Sequence, residues 1–130
     1  MKQLTFLALV LFFAESKAQG INFETEWQVA VEKATKENKL IFMDIYTTWC
    51  RPCKVWDKKI FTDSAVGSFY NKNFINLKCN AEKGWGIKAQ KHYGFGAYPA
   101  FLFIVLKSGY GFRSAARASR FARLKDWEAK

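Results

Sequence analysis

The chain lacks long hydrophobic runs and is poor in proline, cysteine and histidine, with two, three and one of them among its 130 residues. Its longest apolar stretch, residues 4–13, is too short for a membrane-crossing helix, which needs roughly 20 residues. It has no internal repeat and no low-complexity segment. Half of the residues are hydrophobic and 18% are aromatic, which excludes intrinsic disorder. We therefore expect a single globular domain with one core.

Residues 1–18 have the pattern of a secretory signal peptide. Lys2 precedes the apolar stretch, and the small residues at positions 16 and 18 (Ser-Lys-Ala) precede Gln19. A buried N-terminal helix or an uncleaved anchor would be the alternatives. The pattern predicts a cleaved signal at 1–18 and a mature domain at 19–130. That domain would be periplasmic or secreted, in a compartment where disulfides persist.

Basic residues outnumber acidic ones by 21 to 11, and half of the excess charge of +10 lies near the C-terminus. Residues 107–130 carry seven basic and two acidic side chains. A nucleic-acid-binding patch would interleave such charges with exposed aromatic residues, in a cytosolic or nuclear protein. The signal peptide argues against that location. We expect a solvated basic tail and no nucleic-acid binding.

Helical and strand patterns alternate along the mature chain. Helices are predicted at 22–38, 50–60, 64–70 and 87–93, and strands at 40–46, 74–79 and 100–106. A turn at 107–109, an edge strand at 110–116 and a basic helix at 118–130 complete the prediction. This order predicts an α/β fold with a mixed central β-sheet flanked by helices.

Two cysteines three positions apart, Cys50 and Cys53, follow the apolar strand directly. This spacing places both sulfurs on one face at the start of a helix, close enough to form a disulfide. Unpaired N–H groups and the helix dipole there favour a thiolate at Cys50, and the charge of Arg51 acts in the same direction. Pro52 is tolerated because it lies in the first turn. The motif predicts a reversible dithiol/disulfide couple, with Cys50 as the nucleophile and Cys53 as the resolving thiol.

The chain resembles the thioredoxin-like family. The matching stretches are residues 39–54 (KLIFMDIYTTWCRPCK), 60–66 (IFTDSAV) and 93–103 (YGFGAYPAFLF). The likeness is to secreted bacterial thioredoxin-fold proteins and to the C-terminal thioredoxin domain of the DsbD reductase. It implies a thioredoxin-like fold and a thiol–disulfide oxidoreductase, and the DsbD likeness favours the reducing direction. Two positions depart from the family pattern: Arg51 replaces the commoner Gly, and Ala100 replaces the usual Thr.

The resemblance also implies roles for residues around the motif. Asp44, on the buried strand, would have a raised pKa and would act through water as acid and base for Cys53. Simple pairing of Asp44 with a lysine such as Lys78 is the alternative. The Tyr98–Pro99 bond would be cis and would face Cys50, so that the backbone at Tyr98 pairs with an extended client segment. The side chains of Trp49 and Tyr98 would form apolar walls around an exposed Cys50 sulfur.

Cys79 and His92 allow a rival interpretation. Together with Cys50 and Cys53 they could supply four ligands to zinc or copper. This would leave Trp49 and the proline at 99 unexplained. We expect Cys79 to be a small buried hydrophobe, with a regulatory thiol or an intermolecular disulfide as the alternatives. His92 suits a surface position. A third interpretation is an interaction scaffold without turnover.

We therefore predict a monomeric oxidoreductase that acts on extracytoplasmic protein thiols and disulfides. Its catalytic residues would be Cys50, Cys53 and Asp44, and its substrate-binding residues would be Trp49, Arg51, Pro52, Tyr98 and Pro99. It would need no metal and no cofactor other than the Cys50–Cys53 disulfide. Its partners would be client proteins and a membrane-bound or soluble thiol–disulfide electron donor.

Overall fold

The structure, a computed structural model, describes residues 19–106. The elements of this range are the strands β1 (Phe23–Glu24), β2 (Leu40–Tyr46), β3 (Phe74–Asn80) and β4 (Ala100–Ile104), and the helices α1 (Trp27–Glu37), α2 (Arg51–Val55), α3 (Ser64–Asn73) and α4 (Trp85–Tyr93). Helix α2 continues into a π-helical turn, Trp56–Ile60. Within 19–106, no helix has the length and apolar character to cross a membrane. The predicted signal peptide and the elements predicted for 107–130 lie outside the described residues.

The four strands form one sheet in the order β1-β3-β2-β4. Strand β3 pairs in parallel with both β1 and β2, whereas β4 runs antiparallel to β2. The predicted mixed central sheet is confirmed. Strand β2 has the predicted bounds, and its nearly continuous apolar sequence suits its central position, which is covered on both faces.

Helices cover both faces of the sheet. Because side chains alternate along a strand, Phe42 and Ile41 point to opposite faces. On one face, Phe42 contacts Phe61, directly after the π-helical turn, and Tyr70 of α3. On the other face α1 and α4 lie side by side, with the rings of Trp27 and Trp85 5.9 Å apart. The motif at the start of α2 follows the C-terminal end of β2, the central strand of this sheet.

The first predicted helix begins too early. Residues 22–26 precede α1, and Phe23 and Glu24 form β1, in register with Asn76 and Leu77 of β3. The cause is tertiary: the Phe23 ring packs 5.2 Å from that of Phe61, so this segment is held by the core rather than by helical periodicity. Smaller differences occur at the ends of α3, β3, α4 and β4, which span Ser64–Asn73, Phe74–Asn80, Trp85–Tyr93 and Ala100–Ile104.

Candidate active site

The two cysteines of the motif form a disulfide at the start of α2. The Sγ atoms of Cys50 and Cys53 are 2.04 Å apart. Cys50 is the N-cap of the helix rather than a residue of its first turn, and its Sγ accepts a hydrogen bond of 3.2 Å from the backbone N–H of Cys53. Pro52 lies in the first turn, where its missing N–H costs nothing. A backbone donor and the positive end of a helix therefore converge on Cys50 Sγ.

The prediction that the Cys50 sulfur is exposed is wrong for the disulfide form. Cys50 is 3% exposed and Cys53 is 2% exposed. As the N-cap, Cys50 turns its sulfur inward to the N–H of Cys53, and the disulfide keeps both sulfurs against the helix. The exposed feature beside them is the ring of Trp49, which is 66% accessible.

Asp44 lies on β2, six residues before Cys50, and is 1% exposed. Its Oδ2 atom accepts a hydrogen bond of 2.5 Å from the Lys78 ammonium, whereas Oδ1 has no hydrogen-bond partner among residues 19–106. Burial raises the pKa of Asp44 to about 6, against the opposing effect of the Lys78 charge. The raised pKa was predicted, and the alternative contact with Lys78 is also present. Asp44 thus keeps one free oxygen and titrates near neutrality, as a proton-transfer group requires.

Lys78 and Asp57 were not among the predicted site residues, yet they enclose Asp44. Lys78 of β3 is opposite Asp44 in the parallel register and also bonds to the carboxylate of Asp57 in the π-helical turn. The Asp57 charge further raises the pKa of Asp44. One signal for Asp57 was its position four residues after Cys53, about one helical turn along the same face. The contact with Lys78 depends on the strand register, which is not local in sequence.

Trp49 and Tyr98 come together beside the disulfide. Their ring centroids are 5.9 Å apart in an edge-to-face arrangement, and the Trp49 indole N–H donates a hydrogen bond of 3.0 Å to Glu82 Oε1. Glu82 was not predicted. Burial, together with the Glu82 charge, raises the pKa of Tyr98. The Tyr98–Pro99 peptide bond is cis, as the resemblance implied. These residues form an aromatic surface, fixed at one side by a carboxylate.

Arg51 and Pro52 are exposed on the first turn of α2. Arg51 directly follows Cys50 and makes no ion pair with any residue from 19 to 106. The guanidinium of Arg51 thus adds a positive charge at the residue next to Cys50, at the positive end of the helix.

The four ligands of the metal interpretation do not assemble. Within the described part of the chain, no three His, Cys, Asp or Glu side chains form a group that could hold a metal ion. Cys50 and Cys53 are bonded to each other, and Cys79 is 0% exposed in the core. Burial raises the pKa of Cys79 to about 12, and its Sγ lies against Gly86 of α4. His92 is on α4 and packs against Tyr93.

The comparisons with known proteins agree with this geometry. The family model Thioredox_DsbH, described as a protein of unknown function (DUF255), matches residues 9–93. Thioredoxin H4 of Arabidopsis thaliana is 31% identical over 90 residues, which cover 69% of this chain and 71% of that protein.

Two further relatives come from bacteria. A solution structure from Bacteroides thetaiotaomicron, described as a disulphide-isomerase, is 46% identical with a TM-score of 0.60, over 68% of this chain and 74% of that one. The thiol:disulfide interchange protein DsbD of Pseudoalteromonas atlantica is 26% identical over 75% of this chain, but over only 17% of its own length. The fold is the thioredoxin fold. The chain belongs to the thioredoxin-like family that the Thioredox_DsbH model describes.

Proposed function

We propose that the chain is a thiol–disulfide oxidoreductase that reduces disulfides of extracytoplasmic proteins. The observation that carries this proposal is the Cys50–Cys53 disulfide at the start of α2, with a backbone N–H directed at Cys50 Sγ. Thioredoxin and disulphide-isomerase relatives support the reaction class. The signal-peptide pattern of residues 1–18 supports the compartment, and the likeness to DsbD supports the reducing direction.

In the proposed reaction, the reduced protein attacks with the Cys50 thiolate, which the helix dipole and Arg51 favour. Attack breaks the client S–S bond and forms a mixed disulfide between Cys50 and the client. Cys53 then attacks Cys50 Sγ, closes the Cys50–Cys53 bond and releases the second client thiol. One cycle transfers two electrons and two protons to the client.

Asp44 is the proposed acceptor of the Cys53 proton. Its free Oδ1 and its pKa of about 6 suit a group that takes a proton at neutral pH and later returns it. Asp44 and Cys53 lie on separate elements, β2 and α2, and we propose that a bridging water carries the proton between them.

Client binding is assigned to the aromatic surface of Trp49 and Tyr98 and to the cis Pro99. An extended client segment would pair with the backbone at Tyr98 and pack on the Trp49 ring. We propose that the protein works as a monomer, with no cofactor except its own disulfide. An extracytoplasmic electron donor, membrane-bound or soluble, would reduce that disulfide again.

The experiment is to trap the mixed disulfide. Cys53→Ser keeps the nucleophile and removes the resolving thiol, so it should accumulate a covalent adduct with a disulfide-containing protein, visible on a non-reducing gel. Cys50→Ser is the matched control and should give no adduct. Equal adducts from both variants, or none from either, would contradict the assigned roles.

A further inference from the structure

Four basic side chains lie on the exposed surface of the helix that carries the disulfide. We call them the basic stripe: Arg51, Lys54, Lys58 and Lys59, all of which are exposed. Three of them, Arg51, Lys54 and Lys58, are spaced by three and four residues, so they share one side of the helix. The stripe starts at the residue after Cys50 and extends to the end of the π-helical turn.

The basic stripe has no acidic partner between residues 19 and 106. Other lysines in this range do have one: Lys33 pairs with Glu24, Lys39 with Glu37, and Lys78 with two carboxylates. Asp57 is the one acidic residue of 51–60, and it bonds to Lys78 instead of to the stripe. Within residues 19–106, no carboxylate thus pairs with the charge next to the disulfide.

Lys58 and Lys59, in the last turn of the π-helical segment, complement the helix dipole, but the start of the stripe opposes it. Cations near a helix N-terminus oppose the helix dipole, which affects Arg51 and Lys54. Like charges three or four positions apart, as in Arg51–Lys54 and Lys54–Lys58, repel each other. Val55, between them, is an exposed apolar residue, 47% accessible. A mixed basic and apolar surface beside a reactive sulfur is suited to contact with a partner rather than to helix stability.

We propose that the basic stripe binds acidic residues next to the reacting cysteine of a client or redox partner. The inference rests on the proposed function and names its substrate class: disulfide-bearing segments rich in Asp or Glu. A protein segment is favoured over an anionic membrane because the stripe adjoins Cys50 directly. A cysteine that reaches Cys50 therefore brings its flanking residues to Arg51 and Lys54.

The test is a single-turnover reaction of the purified, reduced protein with three peptides. Each peptide has one internal disulfide, flanked by Glu, by Ser or by Lys. In each reaction the peptide S–S bond breaks, the Cys50–Cys53 bond forms, and two electrons and two protons pass to the peptide. At low salt we expect a second-order rate constant about tenfold higher for the Glu peptide than for the Ser peptide, and a still lower one for the Lys peptide. In 0.5 M NaCl the ratio should fall to about 2, because exposed charges are screened.

Two matched triple variants separate the stripe from net charge. Lys54→Gln, Lys58→Gln and Lys59→Gln together should lower the Glu-to-Ser ratio to about 2. Lys36→Gln, Lys88→Gln and Lys91→Gln remove the same charge from exposed positions of α1 and α4, and should keep the ratio near the wild-type value. An equal loss in both variants would overturn the proposal, since it would reflect overall charge.

The remaining outcomes are distinguishable. Equal oxidation of wild-type protein by all three peptides would overturn the stripe proposal and leave the proposed function intact. No oxidation by any peptide would contradict the proposed function itself. The stripe would be assigned to a membrane surface by two results together. The wild-type protein would co-sediment with phosphatidylglycerol vesicles while the stripe variant alone would not, and the three peptides would react at equal rates. This outcome would also overturn the proposal.

Discussion

Lys78 is opposite Asp44 in the register of β2 and β3, and its ammonium donates to one oxygen of that buried carboxylate. The pairing does not hold Asp44 ionised at acidic pH, because burial has the larger effect and raises the pKa of Asp44 to about 6. The same lysine also bonds to Asp57. Its two bonds connect β2 and β3 with the π-helical turn that follows the disulfide. A carboxylate that titrates near neutrality is thereby tied to the helix of the two cysteines.

Stability should fall as pH rises through the titration of Asp44. The folded state holds the Asp44 proton up to a pKa of about 6, whereas the ordinary value is 3.8, so the folded state binds more protons between these pH values. The free energy of unfolding should therefore decrease by about 2 kcal/mol from pH 4 to pH 8 through this group alone. Asp44→Asn should lack this component. Urea unfolding of wild type and variant at pH 4 and 8 measures the difference, and parallel pH curves would contradict it.

Asp44→Asn should slow the resolution step while the fold is kept. The decay of a pre-formed mixed disulfide at Cys50, followed by quenched-flow alkylation, should slow by about 10²-fold because general base catalysis is lost. In wild type this rate should decline below about pH 6, where Asp44 becomes protonated. Asp57→Asn is the companion variant: it removes a charge that raises the pKa of Asp44, so the midpoint should move to lower pH. Unchanged decay in Asp44→Asn would refute the proton-transfer role.

Gly86→Ala should destabilise the protein. A Cβ atom at Gly86 would lie 1.9 Å from the Asn80 carbonyl oxygen and 3.2 Å from Cys79 Sγ, and the backbone carbonyl cannot move aside cheaply. We expect a loss of about 1–3 kcal/mol in the free energy of unfolding. Gly96→Ala is the control, because no atom of the described range 19–106 lies within 4 Å of its added Cβ. Equal midpoints of denaturation for the two variants would show that the α4–β3 contact is looser than described.

Cys79 should be unreactive in the folded protein. It is fully buried, and burial raises the pKa of its thiol to about 12, so it offers neither access nor thiolate near neutral pH. Iodoacetamide should leave the native disulfide form unmodified and add one label after unfolding in guanidinium chloride. Intact-mass spectrometry counts the labels on the native and on the unfolded protein. A label on the native disulfide form would indicate that Cys79 is a reactive thiol.

The local features of this fold could be predicted from the sequence. The nearly continuous apolar run of β2 defines that strand, and Asp63, directly before α3, caps it, with its side chain accepting from the N–H groups of Ala65 and Val66. The predicted start of the first helix was wrong because β1 exists only through pairing with β3, whose paired residues lie 53 positions later in the sequence. A local periodicity carries no information about such a partner.

The residues of the candidate site also fall into two groups, those recognisable from the sequence and those brought together only by the fold. Cys50 and Cys53, three positions apart, and the proline at 99 were recognisable from spacing and resemblance. The bonds of Lys78 to Asp57 and of Trp49 to Glu82 join residues 21 and 33 positions apart, and they become evident only once the strands and helices are assembled. The buried position of the Cys50 sulfur likewise results from its N-cap geometry in the folded chain.

We propose that Cys50 and Cys53 form a reversible redox couple on the reducing side. The most direct test of this claim is the reduction potential of this pair, measured by equilibration in dithiothreitol redox buffers with alkylation and intact mass as the readout. We expect a reversible two-electron transition at about −270 mV, as in a thioredoxin-like reductant. A value near about −120 mV would contradict the reducing direction, and a disulfide that stays oxidised below about −300 mV would mark it as structural and contradict the claim itself.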